Sequence, residues 1–70
     1  MNIKDHIHLE WRKLERELQI IYKMLDELNG FVKETEGEIR HTTVYILLEK
    51  RSDEIAKLQR TFEQWLQKLG

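Results

Sequence analysis

The chain contains no cysteine and no proline. The first absence excludes a disulfide framework and any thiolate metal site. The second leaves every stretch of the 70 residues free to be helical. Glycine occurs only at positions 30, 37 and 70, so two internal points alone invite interruption. Charge of a single sign is also lacking. Lys and Arg number 12 against 13 Asp and Glu, a formal net charge of -1. A near-neutral chain offers no general attraction to nucleic acid or to an anionic membrane surface. No apolar run approaches the roughly 18 residues of a membrane span. The opening Met1-Asn2-Ile3-Lys4-Asp5-His6 lacks the apolar stretch of a secretory signal, and the expected location is the cytoplasm.

What is present is a stripe of apolar residues at alternating steps of three and four. In the first half it runs Ile7, Trp11, Leu14, Leu18, Ile21, Leu25, Leu28, Val32. In the second it runs Val44, Leu48, Arg51, Ile55, Leu58, Phe62, Trp65, Leu69, with one charged lapse. That spacing lays one seam along an α-helix. The two seams differ in phase, so one straight helix would have to rotate its apolar face midway. The spacing therefore predicts an all-α fold, an antiparallel hairpin of two long helices in a single domain over residues 1–70.

Asn29-Gly30 stands where a left-handed helix cap belongs. Thr35-Glu36-Gly37-Glu38 reads as a capping box. Helix 1 is thus expected over about 5–29, the turn over about 30–36 and helix 2 over about 37–69. Folding back near residue 34 would bring level those positions whose numbers sum to about 68. Two rivals exist: a single long helix with a coiled-coil discontinuity near residue 47, and a third helix starting at Ser52-Asp53-Glu54.

A two-helix hairpin needs one stripe per helix, and this chain has apolar residues to spare. Ile20, Tyr22 and Met24 flank the first seam; Ile39, Tyr45, Ile46 and Leu47 flank or back the second. The run Val44-Tyr45-Ile46-Leu47-Leu48 is apolar on all sides, which one partner helix cannot cover. These seven residues form the expected interface, a belt nearest the turn. The expected assembly is a homodimer in which two hairpins make a four-helix bundle. A different protein partner could use the same belt.

Arg51, the one charge on a seam, has two readings. A polar residue there can fix register and partner choice; equally, its aliphatic stem can carry the charge out to solvent. His41 lies one heptad before Leu48 and is a candidate pH-sensitive core group. His6, His8 and Glu10 are the only cluster with metal-ligand character, too sparse for a closed site. Neither a catalytic triad nor a phosphate-binding loop is present, so no catalytic residue, cofactor, metal or small-molecule substrate is expected.

The layout resembles the small dimeric hairpins that form antiparallel four-helix bundles, including a plasmid RNA-binding regulator of that shape. The resemblance is one of architecture, and it carries no functional residue over. The expected function is a small protein-protein interaction module, an adaptor, chaperone or inhibitor of a larger protein. The alternative is a nucleic-acid-binding regulator on a dimeric bundle, which would need Lys4, Arg12, Lys13 and Arg16 gathered on one face.

Overall fold

The computed structural model describes residues 2–70. Two α-helices, α1 (Ile3–Asn29) and α2 (Thr43–Leu69), run antiparallel, joined by turns that include a short 3-10 segment at Glu38–His41. The hairpin is a rod of 50 × 15 × 15 Å. Among the described residues there is no strand, and no helix is long and apolar enough to cross a membrane.

Helix α1 begins where the Asn2 side chain accepts from the Asp5 amide at 2.9 Å, with the Asp5 carboxylate itself in the positive first turn. All eight residues of its expected seam are buried or half-buried. Ile7, Leu18 and Ile21 are the deepest, at 5–6% exposure. Across from Leu18 and Ile21, Ile55 is fully buried, and Leu14, Leu25 and Leu48 pack around that centre. At roughly 1.5–3 kcal/mol for each fully buried aliphatic side chain, this short core is what holds the helices together.

The turn departs from the expected one. Gly30 is right-handed (φ -62°, ψ -19°), so no left-handed cap forms there. Its amide bonds back to Asp26 and Glu27, and the chain continues in tightened turns to Thr35. The reversal comes at Glu36 (φ 53°) and Gly37 (φ 85°). The Gly37 amide donates to the Val32 carbonyl at 2.8 Å and the Glu36 amide to that of Lys33 at 3.3 Å. This pair of bonds is a Schellman motif, with glutamate rather than glycine in its left-handed position. The Thr35 hydroxyl does accept from the Ile39 amide, but that amide lies in the 3-10 segment, whose N-cap is Gly37. Helix α2 starts at Thr43, not near 37, because the Thr42 hydroxyl accepts from the Tyr45 amide.

A later reversal shifts the pairing by more than one and a half helical turns. The hydrogen-bonded pairs Trp11–Glu63, Glu15–Gln59 and Asn29–Tyr45 all have Gly37 as their midpoint. Ile55 consequently meets Leu18 and Ile21, rather than Lys13 and Leu14.

The α2 seam is rotated as well. Leu48, Ile55 and Phe62 face α1 as expected, but the row that joins them is Tyr45, Ser52, Gln59 and Leu66, all buried or half-buried. Val44, Leu58, Trp65 and Leu69 are 41–52% exposed instead. The reason lies in the partners that α1 provides. Tyr45 donates its hydroxyl to Asn29 at 3.0 Å, and Gln59 donates to Glu15 at 2.8 Å. Both polar side chains are satisfied while their stems fill the core.

Candidate interaction surface

The rotation of α2 gives the rod two unlike flanks. One is a line of hydrogen bonds across the helices: Tyr45 and Arg40 to Asn29, Gln59 to Glu15, and Trp11 Nε1 to Glu63 at 3.3 Å. Glu15 is the most engaged acid here. It accepts from Gln59 and from Gln19, and these bonds, Gln59 first, hold its carboxyl below its ordinary 4.5 against a smaller upward push from burial.

The other flank is apolar at both ends. Near the turn Met24, Leu28, Phe31, Val44 and Leu48 line an open groove, beside Glu27. At the far end Ile3, Ile7, Trp65 and Leu69 line another, beside Lys68. Heptad steps connect the two. Ile3, Glu10, Glu17 and Met24 form one row on α1, which Phe31 continues just past its end; Val44, Arg51, Leu58 and Trp65 form one on α2. Trp65 leans on Phe62 with ring centroids 5.4 Å apart, presenting a broad aromatic face.

In the middle of this flank Arg51 clasps Glu17 from α1 with two nitrogens, at 2.7 and 3.3 Å, and reaches Glu54 at 3.3 Å. Glu17 first, and Glu54 after it, raise the guanidinium above its already high range, so it is charged at every accessible pH. Both side chains of the main pair are more than 40% exposed. As a surface pair, screened by water, it adds little to stability. Its geometry combines both sequence readings of Arg51: the stem lies in the seam and the charge emerges to meet α1.

The expected turn-proximal belt does not form one face. Met24 lies in the apolar groove, and Leu47 borders the same row by its spacing from Val44 and Arg51. Tyr22 falls in the Glu15–Asn29 row of the polar flank, and Ile20 and Ile46 point outward on the backs of the helices. Ile39 is half-buried in the turn, and Tyr45 is buried against α1. The flank residues outside that belt, Ile3, Phe31, Val44, Leu58, Trp65 and Leu69, were legible as heptad rows; their outward direction was not.

His41 is exposed at the end of the 3-10 segment and is no core group. His6, His8 and Glu10 lie along α1, and among the described residues no three His, Asp or Glu side chains converge to hold a metal ion. Lys13 pairs with Glu10 at 3.2 Å, which dilutes the basic residues near the N-terminus. Comparison with protein-family models, curated proteins and solved structures finds no match to this chain.

Proposed function

We propose that the chain is a small protein-protein interaction module of the cytoplasm, without catalysis, that works by pairing helices along its apolar flank. Self-association of two hairpins into a four-helix bundle is its first use. As an adaptor, chaperone or inhibitor it would offer the same kind of surface to a helix of a larger protein. The observation that carries this reading is the row of large apolar residues left uncovered on one flank: Ile3, Met24, Phe31, Val44, Leu58, Trp65 and Leu69, each 41–59% exposed. Two large apolar patches exposed on one flank, one at each end, support a contact surface. Interface energy concentrates in buried aromatic and large aliphatic anchors, and Trp65, Phe31 and Met24 are of that kind.

Light scattering coupled to size exclusion tests the reading. At micromolar concentration the expected mass is twice the 8.6 kDa of the chain. A cooperative melting transition from a stable monomer would overturn self-association. Binding to nucleic acid with steep salt dependence, lost when Arg12 and Arg16 are neutralised, would replace this reading with the regulator alternative.

A further inference from the structure

Resting on that reading, we infer that the occupant of the apolar flank is a second copy laid face to face with its turn at the same end, so that each α1 lies against the partner's α2. Three observations lead there. The first is size. A flank 50 Å long and 15 Å wide presents about 750 Å², close to the ~800 Å² per partner of a stable interface. The second is pattern. Apolar residues predominate at both ends of the flank, each bordered by one charge, Lys68 at the far end and Glu27 near the turn, and the charged residues Glu10, Glu17 and Arg51 occupy its middle. A two-fold pairing along the whole rod can therefore bury apolar against apolar at each end.

The third is charge, and it selects the orientation. The α1 row carries two acids, Glu10 and Glu17, whereas the α2 row carries only Arg51. With turns at the same end, the acidic row faces the partner's basic and apolar row, and Glu17 and Arg51 alternate in sign around the four helices. With turns at opposite ends, each α1 faces the partner's α1. Glu17, midway between Ile3 and Phe31 in its row, would then meet the same carboxylate of the partner. Like charges opposed at an interface are disfavoured, more so as water leaves. Arg51 thus stabilises the hairpin through Glu17 and also sets which way the second hairpin lies.

The absence of cysteine makes the test direct. Glu34 is exposed in the turn; E34C places a single spin label there. Pulsed dipolar spectroscopy is expected to give a label-to-label distance no greater than about 30 Å, twice the rod's 15 Å width. A dimer whose labels stand near the 50 Å rod length apart would overturn the inference while leaving the interaction reading intact. A monomer, with no dipolar signal and single-chain mass, would overturn both. Two further variants check the surface: L58E is expected to weaken dimerisation about a hundredfold, and I46E, on the opposite face, less than fivefold. The reverse order would place the interface elsewhere. Should L58E fail to fold, the label distance on the otherwise native chain still decides.

Discussion

The two flanks of the rod are made from the same two helices and the same heptad spacing, yet they spend their side chains differently. On the polar flank Asn29, Glu15 and Glu63 of one hairpin are satisfied by Tyr45, Gln59 and Trp11 of the same hairpin. On the other, Val44, Leu58 and Trp65 stay only half covered by the described residues. Polar groups need a partner at fixed geometry and find it locally. Apolar groups need only area, and a two-helix hairpin lacks it. The contrast teaches that the folding surface of α2 and its proposed contact surface are one residue apart: Gln59 lies on the first and Leu58 on the second.

The largest expected effect strikes the core that both flanks share. Ile55→Ala truncates the one completely buried side chain among the described residues, and should cost ~2–5 kcal/mol in a denaturant titration. A loss below 1 kcal/mol would mean that the helices hold together by other means.

Next comes the polar flank. Gln59→Glu sets a second carboxylate against Glu15 in a site only 7% exposed and should cost ~1–3 kcal/mol at neutral pH. Acidification should narrow the gap to the parent as the added carboxyl is protonated. The parent itself carries the opposite slope. The Glu15 carboxyl is held below 4.5 in the folded chain, so its contribution is complete above that value and is lost as pH falls through the lower, folded one. Melting temperatures of the two chains between pH 3 and pH 7 should converge; parallel curves would remove Glu15 from the account.

A smaller effect separates the flanks optically, since each carries one tryptophan. In a Trp11→Phe chain the remaining Trp65 should become less quenchable by acrylamide as protein concentration rises. In a Trp65→Phe chain the quenching of Trp11, already half-buried and bonded to Glu63, should barely change. Equal responses would erase the distinction between the flanks. The smallest effect is in the turn. Glu36→Gly relieves a left-handed glutamate and should raise stability by up to ~1 kcal/mol. Gly37→Ala, at φ 85°, should lower it by a similar ~1 kcal/mol.

The helical hairpin was legible because periodicity and the lack of proline leave few alternatives, and the α1 seam could be read residue by residue. The α2 seam was legible only at Leu48, Ile55 and Phe62. An apolar row at 44, 51, 58 and 65 looks the same in sequence whether it meets the sibling helix or something outside. The choice of Tyr45 and Gln59 for the inner row depends on acceptors 16 and 44 positions away. The turn misled for a related reason. Asn29-Gly30 is the stronger local stop signal, but a glutamate in the left-handed region leaves no compositional mark. The interface belt rested on counting surplus apolar residues, which says how many are unburied and not which way they point.

The Glu36–Gly37 reversal has a consequence for the lengths this chain can tolerate. Inserting one residue that advances α2 against α1 would move Leu58 into the place of Gln59, an apparent gain, but Glu54 would enter the fully buried place of Ile55. Removing one would bring Ala56 there, and the acids Glu49 and Glu63 into the places of Leu48 and Phe62. Either slip buries carboxylates. Length variation between residues 30 and 42 is therefore tolerated only when the turn bulges to absorb it, or when it adds or removes nearly whole helical turns, three or four residues at a time.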